Sequence, residues 1–146
     1  MNEEKITDEA ISEELRSIRD IIKDLSKPVA KRHLRSRKQG NQQITYISWY
    51  DAVKYLDHYA PGWSYEIRSV QQIGESLVMT VRISIPCAAG VVYREASALE
   101  PLAGTGYGDA ATNAESAALR RAAAKFGFCL SLYDKEHNGS GSGGKQ

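Results

Sequence analysis

The chain has 146 residues, enough for one compact domain with flexible ends. Its formal charge of +1 excludes a protein that is basic over its whole surface, and no apolar run approaches the roughly 20 residues needed to cross a bilayer. Two cysteines without CxxC spacing, Cys87 and Cys129, exclude a disulfide framework and read as reduced core thiols of a cytosolic protein.

Charge is segregated along the chain. Residues 1–26 carry four basic and eight acidic side chains, residues 27–40 six basic and no acidic ones, and the rest nine and ten. That pattern is a local electrostatic footprint rather than a device for solubility. The N-terminus is acidic and lacks the layout of a signal peptide, so a soluble, intracellular protein is expected.

In chain order, Ile11, Leu15, Ile18, Ile22 and Leu25 recur at alternating spacings of four and three, a heptad seam. It predicts an amphipathic helix within residues 1–26, capped by Thr7 with Asp8 and Glu9 behind it. Two or three heptads are few, so the seam either packs on its own domain or self-associates. Pro28 limits the helix, and the basic segment Lys27 to Gly40 opens the main domain, expected over 27–135. Gly40-Asn41 begins a turn, and Ile44-Thr-Tyr-Ile47 reads as a short strand.

Ser48, with Asp51 three residues on, caps a helix whose apolar stripe is Trp49, Ala52, Val53 and Leu56; Pro61-Gly62 ends it. A strand over 63–71 runs through Trp63, Tyr65 and Ile67. Leu77, Met79, Val81, Ile83 and Ile85 then alternate with period two until Pro86 stops the strand. Ala88-Ala-Gly90 turns the chain into a third strand, Val91 to Ala98. Thr112 and Glu115 form a capping box for an alanine-rich helix ending at Gly127, and the glycine- and serine-rich tail over 136–146 is expected to be disordered. The fold class is therefore α+β: a three-stranded antiparallel sheet packed on one face by a long alanine-rich helix, a β-β-β-α core with an extra N-terminal helix.

Arg120, Arg121 and Lys125 stand among alanines, on a helix thin enough to lie close to a polyanion. No acid lies within one turn of the arginine pair, and Arg121 and Lys125, four apart, share a face on which like charges repel. A solvated helix face and a phosphate contact are the two readings. Tyr46, Trp49, Tyr50 and Trp63 are stacking candidates for bases. Trp49 and Trp63 fall on apolar faces and are expected in the core, which leaves Tyr46, just behind the basic segment, best placed.

Gly104, Gly106 and Gly108 lie between a strand and a helix but lack both the Lys-Ser/Thr ending of a Walker A loop and the GxGxxG spacing. They read as a plain connection, with N–H groups at the next helix start still open to a backbone phosphate. His33, His58 and His137 have no metal-ligand spacing, and surface positions are the default for them. Glu66, Glu75 and Glu95 form no nuclease pattern, and no nucleophile–base spacing is present. A non-enzymatic protein without metal or cofactor is expected.

The run from Pro28 to Ile67, with Arg35-Ser-Arg37, Tyr46-Ile47 and Pro61-Gly-Trp-Ser-Tyr-Glu-Ile67, resembles the N-terminal domain of Rad52/Rad22-type single-strand annealing proteins. So does Ala114-Glu-Ser-Ala-Ala-Leu-Arg-Arg-Ala-Ala-Ala-Lys-Phe-Gly127, and Tyr93-Arg-Glu95 through Gly106-Tyr-Gly108 is compatible. The resemblance covers about residues 28–135 and looks closest to short bacterial and phage, DdrA-like members. It implies a β-β-β-α core assembling into rings, with single-stranded DNA in a basic outer groove. By motif position the groove residues are Arg37, Arg120 and Arg121, with Tyr46 nearby. Where family members often carry a further base three positions after the pair, this chain has Ala124, followed by Lys125. The long C-terminal region through which eukaryotic members bind a recombinase and a single-strand-binding protein has no counterpart here, so those partnerships are not carried over.

These readings converge on ATP-independent binding and annealing of single-stranded DNA in recombinational repair, in the cytoplasm at the nucleoid. The expected DNA-binding set is Arg35, Arg37, Lys38, Tyr46, Arg120, Arg121 and Lys125. Expected partners are single-stranded DNA and further copies in a ring, with a single-strand-binding protein as an additional candidate and no membrane. About four phosphate contacts per protomer predict a salt slope of about −3. A double-stranded-RNA-binding module shares the element order but has its lysines at the start of the last helix, where Asn113 to Ala118 has none. An adaptor assembling through the heptad helix is the other alternative, and a nuclease a distant third.

Overall fold

The computed structural model describes residues 15–103 and 108–134. The expected cap at Thr7, the heptad start at Ile11, Gly104, Gly106, and the tail over 136–146 lie outside them.

Helix α1, Ile18–Leu25, begins at Ser17, whose hydroxyl accepts from the Asp20 N–H at 3.1 Å. Its inward residues are Ile21 and Leu25, one turn apart, flanked by half-buried Ile18 and Ile22. A 3-10 turn, Lys31–His33, leads into β1, Leu34–Gln39, which pairs antiparallel with β2, Gln42–Ile47, across the two-residue turn Gly40-Asn41. Gly40 takes φ +65°, the left-handed conformation such a tight hairpin turn requires. β1 was not legible in the sequence, because Leu34 is its single apolar residue and Arg35 to Lys38 are exposed.

Helix α2, Trp49–Tyr59, follows at once. Ser48 precedes it but does not cap its backbone; the hydroxyl donates to the Asp51 carboxylate at 2.9 Å, and both residues are buried. Ala52 and Leu56 are fully buried, as the stripe predicts. Trp49 corrects that stripe, because it remains 48% exposed at the start of the helix. Tyr55, one turn before Tyr59, anchors the chain ahead of β1: its hydroxyl lies 2.7 Å from His33 Nδ1 and accepts from the Ala30 N–H at 3.3 Å. His33 is thus a half-buried structural residue rather than a surface one.

The sheet proper is β3-β4-β5, all antiparallel: Ser64–Ile73, Ser76–Cys87 and Gly90–Pro101. Met79, Val81, Ile83, Ile85 and Cys87 alternate into the core. β4 continues through Pro86 to Cys87, beyond the stop expected at Pro86. Pairing with β3 begins only at Ser64↔Ser84, so at Pro86 the strand has β5 alone as neighbour and the missing N–H leaves no gap in a central ladder.

Helix α3, Ala110–Ala124, lies across β4 and β5. Ala114, Ala118, Ala122 and Ala123 are fully buried, which lets the helix sit close on the sheet. Its cap is Asp109, not Thr112: the Asp109 carboxylate accepts from the Thr112 N–H at 2.7 Å and the Thr112 hydroxyl at 3.0 Å. Glu115, freed from any capping box, accepts from the Tyr65 hydroxyl of β3 at 3.0 Å. The helix stops at Ala124, three residues short of Gly127. A turn buries Phe126 and Phe128, and residues 130–134 are helical again. Gly127, at φ +98°, faces α1 so closely that an added Cβ would stand 2.1 Å from the Ser26 hydroxyl oxygen.

The face of β3 that matches the core side of β4 is uncovered. Tyr65, Ile67 and Val70 register with buried Ile83, Val81 and Met79, yet they are 42%, 46% and 55% exposed, because α3 stops over β4.

Candidate nucleic-acid interface

A cleft of about 290 Å³ opens between the β1–β2 hairpin and the C-terminal half of α3. The hairpin contributes Arg37, Ile44 and Tyr46; α3 contributes Ala117, Arg120 and Arg121. The segment after α3 closes the floor with Cys129, Leu132 and Tyr133. Its walls are mixed, with aliphatic and aromatic surface between cations.

Tyr46 is the centre of this arrangement. Register pairs it with Arg35, and residues two apart on a strand share a face, so Arg35, Arg37 and Tyr46 lie on one side of the hairpin. The Arg37 guanidinium carbon stands 5.3 Å from the centroid of the Tyr46 ring, and that of Arg120 stands 5.4 Å away. Both distances are within the range of a cation–π contact.

The two adjacent arginines have different surroundings. Arg120 is half-buried: its Nε donates to the Ser116 carbonyl at 3.2 Å and one terminal nitrogen donates to the Ile47 carbonyl at 3.1 Å. This second bond ties α3 to the end of the hairpin. Burial lowers the Arg120 pKa from its ordinary range, and repulsion from Arg37 pulls the same way. An arginine keeps its charge through such a shift, because its unperturbed value lies so high. Arg121 is exposed, with its guanidinium 5.9 Å from the Tyr133 ring centroid.

None of the ion pairs among the described residues engages Arg37, Arg120 or Arg121. Carboxylates elsewhere are engaged: Glu95 lies 2.6 Å from Arg82 and 3.6 Å from Arg68, and Asp24 lies 2.9 Å from Lys27. The Cys129 thiol is half-buried in the cleft floor, and burial pushes its pKa up to about 12. It is a neutral S–H at physiological pH and supplies no thiolate nucleophile.

The remaining expected residues fall outside the cleft lining. Arg35 lies over the Tyr50 ring at 5.7 Å, beside the cleft rather than in it. Lys38 alternates to the opposite face of β1. Lys125 is the exposed C-terminal cap of α3, and its carbonyl accepts from Arg94. Sequence reasoning missed Cys129, Leu132 and Tyr133. Their spacing after Gly127, with apolar residues three and four apart, was the available signal of another helical turn. Among the described residues, no cluster of metal-ligating side chains forms and no helix is long and apolar enough to cross a membrane.

Fold and cleft together define a small α+β protein with an aromatic-lined cationic groove whose arginines form no ion pair among the described residues, a surface complementary to a polyanion. Residues 17–143 match the family model described as Rad52/22 family double-strand break repair protein. The chain belongs to that family, which places it in DNA repair and recombination. It is 33% identical over 123 residues to DNA repair RAD52-like protein 1, mitochondrial, of Arabidopsis thaliana, an alignment covering 83% of this chain and 70% of the relative. It is 32% identical over 122 residues to RAD52-like protein 2, chloroplastic, of the same plant, covering 81% of this chain and 61% of the relative. The narrower likeness to short bacterial and phage members rests on the sequence motifs alone.

Proposed function

We propose that the chain binds single-stranded DNA in the cleft and anneals complementary strands without ATP, acting as a binding protein and not an enzyme. The observation that carries this reading is the convergence of Arg37 and Arg120 on Tyr46, with Arg121 beside Tyr133 in the same cleft, and no described carboxylate ion-paired to them. Arg37 and Arg120 repel one another without a described ion pair to offset it, and a phosphate backbone relieves that repulsion while releasing its own condensed counterions. Backbone contacts fix the strand and leave base edges free to test a complement.

Assembly into a ring belongs to the same proposal, and β3 supports it. Its free edge is ten residues long, and Tyr65, Ile67 and Val70 expose apolar surface beside a buried core. An uncovered edge of this kind is a template for another chain. A second copy seated there would bury the three side chains and set clefts in series along one DNA strand. A cytoplasmic, nucleoid-associated location follows from the same function.

The direct test mixes two complementary labelled oligonucleotides with and without the protein, in the absence of nucleotide triphosphate, and follows their pairing. Anisotropy titrations over a salt series accompany it. Three phosphate contacts per protomer give a log–log salt slope of about −2. A flat salt dependence, or annealing no faster than in buffer, refutes the reading.

A further inference from the structure

A second cation–aromatic patch adjoins the cleft. Trp49 and Tyr50, in the first turn of α2, are 48% and 43% exposed and meet edge to face with centroids 5.8 Å apart. Arg35 lies over Tyr50 at 5.7 Å, and the strand register sets Arg35 beside Tyr46. One face of the hairpin therefore continues from Arg37 and Tyr46, through Arg35, to Tyr50 and Trp49. The helix does not need these rings for its own packing, since Ala52 and Leu56 fill its buried stripe. The acid in this turn, Asp51, is buried, takes a hydrogen bond from Ser48 and lies 3.8 Å from Lys54, so its charge is already engaged.

We infer that Trp49 and Tyr50, held beside Arg35, form a stacking subsite for unpaired nucleobases of the DNA strand whose phosphates occupy the cleft. The inference rests on the proposed single-stranded DNA binding and adds a base-contacting element to it. Aromatic faces accept any base, and the guanidinium offers the adjoining phosphate a charge, the combination that holds single strands without reading sequence. The cleft cations alone respond to the backbone. The patch responds to bases, so strands with and without bases separate the two.

The test compares an oligothymidylate with an abasic oligomer of equal length, each titrated against the full-length protein and its variants. Trp49→Ala is expected to weaken oligothymidylate binding about tenfold and to leave abasic binding unchanged. Trp49→Phe restores most of the loss. Arg121→Ala weakens both ligands. Independently, a Trp63→Phe protein has Trp49 as its one tryptophan, and its emission is expected to be quenched by oligothymidylate but not by the abasic strand. Equal losses on both ligands for Trp49→Ala, or no loss together with no quenching, overturn the stacking subsite while leaving the cleft reading intact. Failure of the unaltered protein to bind either strand overturns both. Trp49→Ala binding that is unchanged for DNA but lost for a protein partner assigns the patch to a protein contact and overturns the inference.

Discussion

Arg120 and Arg121 are neighbours in sequence, yet their replacement should fail in different ways. Arg120→Ala removes two hydrogen bonds from a charged, half-buried donor, to the Ser116 and Ile47 carbonyls. The Ile47 carbonyl ends the hairpin, and without Arg120 it loses the tie to α3. A part-buried hydrogen bond to a charged group contributes about 1.5–3 kcal/mol, and the Ser116 bond, closer to solvent and within one helix, contributes less. A net loss of about 2 kcal/mol corresponds to a melting temperature lower by roughly 4–8 °C for a domain of this size. Arg121, exposed and without a described ion pair, should change stability by no more than about 0.5 kcal/mol when replaced by alanine. On DNA the two should converge. On the proposed reading each substitution removes one phosphate contact and should flatten the salt slope by about 0.7.

Arg120→Lys separates charge from geometry. Lysine keeps the positive charge, so the salt slope should stay near that of the unaltered protein. It has no planar fork to bond two carbonyls at once, so the melting temperature should remain depressed. Calorimetry and anisotropy over 50–300 mM salt measure both quantities on the same preparations. Equal melting shifts for Arg120→Ala and Arg121→Ala would refute the division of labour. Unchanged salt slopes in both would refute the phosphate contacts.

Gly127→Ala should cost about 2–4 kcal/mol, because φ +98° is strained for alanine and the new Cβ would stand 2.1 Å from the Ser26 hydroxyl, disturbing its 2.7 Å bond to the Ile22 carbonyl; thermal melts measure it, and Ser26→Gly in the same chain should recover the steric part only. Ile67→Glu together with Val70→Glu should leave the monomer folded, since both sites are exposed, while shifting the protein to smaller species in light scattering if β3 seats a second copy. The Asp109 carboxyl is held below its ordinary range by the Thr112 N–H and hydroxyl, and the Asp24 carboxyl by hydrogen bonds from Lys27 and then Arg16. Depressed folded-state values mean that this stabilisation is complete above the unfolded value of about 4 and is lost as pH falls through the lower folded values. Melts between pH 6 and pH 2.5 should show that loss, and Asp109→Ala should shrink it.

The sheet and the long helix were readable because burial there is one-sided and periodic. Met79, Val81, Ile83 and Ile85 alternate with residues that face away from α3, and all four are buried. Ala114, Ala118 and Ala122 recur every four residues and meet the sheet. The hairpin broke that logic. Arg35, Arg37 and Lys38 occupy strand positions for which sequence patterning expects apolar residues, so the basic segment read as a connection. Trp49 failed in the opposite sense: its spacing is that of a core residue, but it remains exposed at the start of the helix. The capping residue differed by three positions because Asp109 and Thr112 both satisfy local rules, and only the geometry of α3 distinguishes them.

The distribution of charge supports the proposed role of the cleft. The chain holds nearly equal numbers of acidic and basic side chains, so carboxylates were available to neutralise every cation. The described ion pairs form elsewhere, among them those of Asp24 in the last turn of α1 and of Glu66 and Glu95 on the face of the sheet away from α3. Arg37, Arg120 and Arg121 come instead from positions about 80 residues apart in sequence to one groove, close enough for Arg37 to disfavour the charge on Arg120. Stability alone would separate those charges or pair them. Arg37 and Arg120 converge on the Tyr46 face and Arg121 stands by Tyr133 in the same groove, an arrangement that the proposed polyanion binding accounts for by placing extended negative charge between them.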